Sequence, residues 1–113
     1  MVFSPRVLRD DDRVQQYFDF ALQMPPWENP GRLGQSSADR DYDDRLEALA
    51  GVRVPSLVMA FEHDMLTGAS LCREVADAIP GCEYVEIPDC GHAGPLEKPD
   101  EVNPVLLDFF ARH

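Results

Sequence analysis

The sequence predicts an α/β fold built on parallel strands, and three features of its second half predict it. Ser56-Leu57-Val58-Met59-Ala60-Phe61 is a short continuous apolar run, the pattern of a strand buried on both faces of a parallel sheet. Ser70 to Ile79 then places Leu71, Val75, Ala76 and Ile79 on one helical side, and Pro80-Gly81 closes the helix. Glu83-Tyr84-Val85-Glu86-Ile87 alternates polar and apolar residues, as a half-covered strand does. A strand, a helix and a strand in that order make a right-handed βαβ unit.

The remaining elements follow along the chain. Between Asp10 and Met24, the residues Val14, Tyr17, Phe18, Ala21 and Leu22 form one apolar helical stripe. Aspartates stand at the end of this helix that its dipole favours, and Pro25-Pro26 stops it. Trp27 to Ser37, with Pro30, Gly31, Gly34 and two serines, reads as a loop or a short helix. A second short helix is expected over Asp44 to Ala50, ended by Gly51. A break in composition near Gly51 separates an acidic helical segment, residues 1–51, from the α/β part, residues 52–113. After the second strand, Pro88 to Pro99 reads as a loop, and Asp100 is expected to cap a last helix. Val102, Leu106, Phe109 and Phe110 give that helix an apolar face, and Pro104 is expected in its first turn, where a missing N–H costs least.

With 113 residues the chain has room for one small domain, and its 44% hydrophobic and 27% charged residues are those of a globular protein. Ten basic residues against 21 acidic give a net charge of −11, which repels phosphate backbones and anionic lipid. Neither a nucleic-acid partner nor a membrane is expected. No apolar run approaches the ~20 residues of a membrane span, and the first residues lack the apolar core of a signal peptide. These features predict a cytoplasmic protein. Cys72, Cys82 and Cys90 are odd in number and have no CxxC spacing, which fits a reducing compartment and neither a disulfide framework nor a structural zinc site. The acidic clusters Asp10-Asp11-Asp12 and Asp39/Asp41/Asp43/Asp44 read as helix N-terminal charge and solvated turns. The rival reading, a metal site, lacks the glycine and spaced ligands of a calcium loop.

Ligands of open parallel sheets bind beyond the carboxyl ends of the strands. Asp64 follows the first strand, and Cys90-Gly91-His92 follows the second. Neighbouring parallel strands bring Asp64 and His92 together, so that the carboxylate holds one imidazole nitrogen and leaves the other as a general base. A turn or capping aspartate and a surface-turn histidine are the plainer readings of the same residues.

Val54-Pro55-Ser56-Leu57-Val58-Met59-Ala60-Phe61-Glu62-His63-Asp64 resembles the penultimate-strand segment of α/β-hydrolases, which ends in the acid of a catalytic triad. Gly91-His92-Ala93-Gly94-Pro95-Leu96-Glu97-Lys98-Pro99-Asp100-Glu101-Val102-Asn103 is similar to their last loop, where the triad histidine follows a glycine. As in that family, a glutamate and a proline then precede a terminal helix that ends in an aromatic pair, Asp108-Phe109-Phe110. The resemblance covers about residues 44 to 113, and residues 1–43 are compatible with the tail of the helical cap of that family. It implies the C-terminal part of an α/β-hydrolase fold: two parallel strands, flanking helices and a short cap-like segment. The implied catalytic residues are Asp64 as orienting acid and His92 as base, acting with a serine on an ester, thioester or related small acyl substrate. No metal or organic cofactor is implied.

The sequence departs from the family in one large respect. The nucleophile elbow, G-x-S-x-G, precedes the acid and the histidine in the family. None of Ser4, Ser36, Ser37, Ser56 and Ser70 has flanking glycines on both sides at that spacing. Cys90 as a nucleophile lacks an elbow or helix N-terminus to lower its pKa. A metal site of His63, Asp64, Cys90 and His92 matches no standard zinc spacing. Trp27, Phe18, Phe20 and Met24 read either as lid residues over an apolar substrate or as helix packing. Two functions therefore stand: an acyl hydrolase whose nucleophile-bearing half is absent from this chain, and a non-catalytic remnant or interaction module of the same fold. An in-frame continuation upstream of Met1 encoding an elbow would distinguish them. Two parallel strands leave unpaired edges and little core, so the chain is expected to self-associate or to need a partner chain. Sedimentation velocity should show species larger than one chain, and a stable monomer with cooperative unfolding would oppose this expectation.

Overall fold

A computed structural model describes residues 2–23 and 45–113. In chain order they form α1 (Pro5–Leu8), α2 (Asp11–Gln23), α3 (Arg45–Leu49), β1 (Leu57–Phe61), α4 (Ala69–Ala78), β2 (Glu83–Ile87), α5 (Gly94–Glu97) and α6 (Pro99–Arg112). Met24, Trp27, the expected loop up to Ser37 and the second acidic cluster lie outside the described residues.

β1 and β2 pair in parallel, with Leu57 opposite Glu83 and Phe61 opposite Ile87, so both strands end at the same level. α4 joins them and packs on both. Side chains alternate across a strand, and the two faces have different covers. Met59, Phe61, Val85 and Ile87 face α6, where they meet Val102, Val105, Leu106 and the buried Cys90. Tyr84 points to the other face, and its ring lies under Arg73 of α4 at 3.4 Å. Each fully buried aliphatic side chain contributes roughly 1.5–3 kcal/mol, and Ile87 and Val102 are the largest such contributors in this cluster.

Of the β1 side chains only Ala60 is buried, and the others are half-buried. The apolar run led us to expect burial on both faces. Among the described residues the sheet has two strands, so each keeps one edge unpaired, and one helix covers each face. On α4, Ala76 is buried while Leu71 is exposed.

The last third of the chain corrects four expectations. The stretch from Pro88 to Pro99 is not loop throughout, because Gly94–Glu97 forms a helical turn. Lys98 stands at the N-cap of α6 without a side-chain cap bond, and Asp100 lies inside the first turn, where its charge meets the helix dipole. Pro104 is the sixth residue of α6 rather than a first-turn residue. Its ring sits on the exposed side, where water can take up the carbonyl of Asp100 that loses an N–H donor. Phe110 also points outward, and the buried face of α6 is that of Val102 and Phe109.

α2 begins as a charged helix should. Asp10 accepts a hydrogen bond from the Arg13 N–H at 3.1 Å, satisfying one free donor of the first turn. Its apolar stripe is not buried: Leu22 is 82% exposed. Instead Val14, Tyr17, Phe18 and Ala21 line an open apolar groove of about 380 Å³ with Phe3, Leu8 and Leu96. Tyr17 stacks on Phe3 with ring centroids 4.5 Å apart, and its hydroxyl donates to the Leu96 carbonyl at 3.1 Å. The first residues are thus held between α2 and the segment that follows β2.

Phe61, the last residue of β1, lays its ring on Gly94, and a Cβ at residue 94 would overlap that ring. Gly94→Ala should therefore destabilise the chain by about 1–3 kcal/mol. Denaturant unfolding should show that this penalty shrinks in a Phe61→Ala background, which removes the overlapping atoms. Equal penalties in both backgrounds would mean that Phe61 and Gly94 are not coupled.

Candidate functional site

The backbone beyond the two strands is laced together before any side chain acts. The Glu62 N–H donates to the Ile87 carbonyl at 3.1 Å, and the His63 N–H donates to the Cys90 carbonyl at 2.9 Å. Asp89 takes a left-handed conformation, φ 51°, which aspartate tolerates better than most residues. Its N–H donates to the Glu62 side chain at 2.7 Å. These contacts bring the segment after β1 beside the segment after β2.

Asp64 sits in that junction with its side chain only 3% exposed. Its Oδ1 accepts the N–H groups of Leu66 at 2.8 Å and Thr67 at 3.0 Å, and its Oδ2 accepts the Thr67 hydroxyl at 2.8 Å. This is an Asx-type turn, the local bond that aspartate offers its own backbone. The same Oδ2 lies 2.9 Å from Nδ1 of His92. Burial pushes the Asp64 carboxyl up, but the hydrogen bonds from Thr67, His92 and Leu66 outweigh it and hold the group at about 2. Asp64 is therefore ionised at neutral pH and can only accept. Nδ1 of His92 must then be the donor, which leaves Nε2 as the basic nitrogen of the neutral ring. The His92 side chain is 43% exposed, so the ring is open to an incoming group.

The loop around His92 is fixed from outside. The Gly91 N–H donates to Oε1 of Glu97 at 3.2 Å, and the Ala93 N–H donates to the Val2 carbonyl at 3.0 Å. A Cβ on Gly91 would lie 2.8 Å from Phe3 C, Ser4 N and Val2 O, so the residue before His92 must be glycine for the two backbones to pass. Glu97, 2% exposed, also takes the Ser4 N–H at 2.9 Å and the Ser4 hydroxyl at 2.5 Å.

The other residues singled out in the sequence fall elsewhere. His63 turns its Nε2 to Asp89, 3.7 Å away, rather than to Asp64 or His92. The Cys90 thiol is fully buried, and that burial, followed by the charge of Glu97, pushes it up to about 11. Such a thiol does not ionise near neutral pH. Ser4 is buried on Glu97, Ser56 donates to the Val54 carbonyl at 3.0 Å at the opposite end of β1, and Ser70 lies in the first turn of α4. Among the described residues no serine hydroxyl bonds to His92, and no cluster of three or more metal-ligating side chains is present. No described helix is long and apolar enough to cross a membrane. Phe18 and Phe20 line the open groove beside α2.

An acid and a histidine thus stand together on the loops after two neighbouring parallel strands. The sequence pattern of the Alpha/beta hydrolase family matches residues 2–105, and the chain belongs to that family. The chain is similar to "Putative non-heme bromoperoxidase BpoC" of Mycobacterium tuberculosis, at 38% identity over 109 residues, 96% of this chain and 41% of that protein. The crystal structure of that relative superposes with a TM-score of 0.85, covering 98% of this chain and 41% of that one. "Putative carbamate hydrolase RutD" of Pantoea ananatis is 33% identical over 69 residues, 61% of this chain and 25% of that protein. The enol-lactonase from Burkholderia xenovorans LB400 has a TM-score of 0.58 at 34% identity, covering 63% of this chain and 27% of that one. The chain thus spans 41% of the length of BpoC, and its two parallel strands and flanking helices form part of the α/β-hydrolase fold.

Sequence reading assigned no role to Thr67, Ser4 or Glu97. Thr67 carried a usable signal, since Asp64-Met65-Leu66-Thr67 has the spacing of an Asx-type turn. Glu97 lies in the segment that resembles the family's last loop, but its pairing with Ser4 across 93 residues carried no local signal.

The lowered Asp64 carboxyl has a consequence for stability. The fold favours the ionised form, so the stabilisation is fully present above the ordinary carboxylate range and is lost as pH falls towards 2. Its size is roughly 2 kcal/mol. Urea unfolding of the wild type and of Asp64→Asn should differ most near neutral pH, and the difference should narrow as pH drops below about 4. A difference independent of pH would show that Asp64 is not held ionised by the fold.

Proposed function

We propose that this chain contributes the acid and the base of a Ser-His-Asp triad to the hydrolysis of an ester, thioester or related small acyl substrate. One observation carries the reading: Oδ2 of the buried Asp64 stands 2.9 Å from Nδ1 of the exposed His92, at the carboxyl ends of two parallel strands. In this reading a serine hydroxyl donates to Nε2 of His92. The imidazole takes its proton as the oxygen attacks the acyl carbon, and Asp64 stabilises the imidazolium. His92 then returns the proton to the departing oxygen or sulfur, and a water molecule repeats the cycle to release the acid. Two relatives, named for a lactone and a carbamate, support a carbonyl carbon bonded to a heteroatom as the point of attack.

The serine is assigned to a segment other than these 113 residues, which hold no G-x-S-x-G. Residues 1–51 take the place of a cap-like segment, and the partner of residues 52–113 is the nucleophile-bearing part of the fold or a second chain. The missing elbow also favours a second reading, a non-catalytic module that keeps the fold without turnover.

A chimera separates the two. The preceding part of BpoC, joined ahead of this chain, should hydrolyse a short acyl ester, and His92→Ala should lower kcat by about 10³-fold or more. The 113-residue chain alone should show no turnover above background. A folded chimera no more active than its His92→Ala form would leave the non-catalytic module as the answer.

A further inference from the structure

His92 has one ring hydrogen bond, to Asp64, and its side chain is 43% exposed, so its own contacts do little to hold it. What holds it is the backbone on either side. The N–H before it goes to Glu97, and the N–H after it goes to Val2. Glu97 in turn reaches the same N-terminal segment through both the N–H and the hydroxyl of Ser4. We propose that Glu97, anchored by Ser4, is a positioning residue for His92: it clamps the Gly91 backbone to the N-terminal segment and so aims the imidazole at Asp64. The proposal rests on the reading of His92 as the triad base.

The division of labour on the carboxyl group says which property matters. Oε1 accepts two backbone N–H groups, from Ser4 and Gly91, and Oε2 meets a hydroxyl that can donate or accept. A glutamine at 97 keeps the carbonyl oxygen in the first place and offers an amide to the Ser4 hydroxyl in the second. The clamp thus depends on shape and hydrogen bonding, and a neutral isostere preserves it. A leucine at 97 fills the same space and leaves the N–H groups of Ser4 and Gly91 without an acceptor, a buried loss that the loop relieves only by moving. Loss of the Ser4 hydroxyl alone removes one of three bonds.

The test reads the tautomer of His92 from its ring ¹⁵N shifts in the labelled chain, well above the ordinary imidazole titration range. The wild type should hold a single Nδ1–H tautomer, and Asp64→Ala should abolish that preference. Glu97→Leu should abolish it too, Glu97→Gln should restore it, and Ser4→Ala should weaken it by about tenfold or more, the factor one hydrogen bond to a charged group is worth. Glu83→Gln breaks the Arg112–Glu83 pair at the far end of the sheet and should leave the tautomer unchanged, which separates positioning from mere loss of stability. Backbone amide shifts of β1 and β2 report whether each variant is folded. If Asp64→Ala changes nothing, the triad reading fails. If Asp64→Ala acts and a folded Glu97→Leu chain keeps the wild-type tautomer, the triad reading stands and the positioning role falls. Should Glu97→Leu not fold, Ser4→Ala decides, and a folded Ser4→Ala chain with the wild-type tautomer overturns the proposal.

Discussion

The carboxyl group of Glu97 lies in the interior, and its hydrogen-bond donors are the Ser4 and Gly91 N–H groups and the Ser4 hydroxyl. A buried acidic group is costly unless its oxygens are met by hydrogen bonds. Meeting them here requires the first residues of the chain and the loop after β2 to be in contact. The arrangement is mutual. The N-terminal segment has no strand to join, the His92 loop has no ladder to continue, and each supplies the other's backbone partners. Tyr17, stacked on Phe3 and bonded to Leu96, closes the same unit from α2.

The parallel register adds a second constraint. Because Phe61 and Ile87 are opposite one another, whatever follows each strand emerges at one level. Asp64 comes three residues after the end of β1 and His92 five after the end of β2, and the backbone bonds from Glu62 and His63 to Ile87 and Cys90 fold these short extensions against each other. Distance along the chain becomes irrelevant once the strands pair. The pairing itself leaves most of β1 half-buried, which agrees with a chain that spans 41% of the length of its relative BpoC.

How much of this was legible in the sequence depends on whether the cause was local. The β2 span matches its alternation from Glu83 to Ile87, and β1 differs from its apolar run by one residue, because both patterns are local in sequence. The proximity of Asp64 and His92 followed from strand order and motif. The start of α6 is placed two residues earlier than the sequence suggests because Asp100 and Pro104 are compatible with more than one helical position, and the buried face is that of Val102 and Phe109. The α2 stripe was legible as a helix but not as a groove, since periodicity says which face is apolar and not what lies opposite. The bond between Ser4 and Glu97 was invisible because a contact across 93 residues has no sequence period.

The two oxygens of Asp64 are not interchangeable. Oδ1 is committed to the backbone N–H groups of Leu66 and Thr67, so the turn dictates which way the carboxyl group faces. An amide in its place has to keep its carbonyl oxygen towards those donors, and its NH₂ then points at Nδ1 of His92. The Thr67 hydroxyl can reverse its role and accept. The turn would survive intact while the imidazole met a donor where it needs an acceptor. Its proton would move to Nε2, and the nitrogen open to an incoming group would then carry a hydrogen instead of a basic lone pair. Asparagine at this position thus keeps the turn but inverts the ring, and the turn that stabilises the loop also guards the polarity of the histidine.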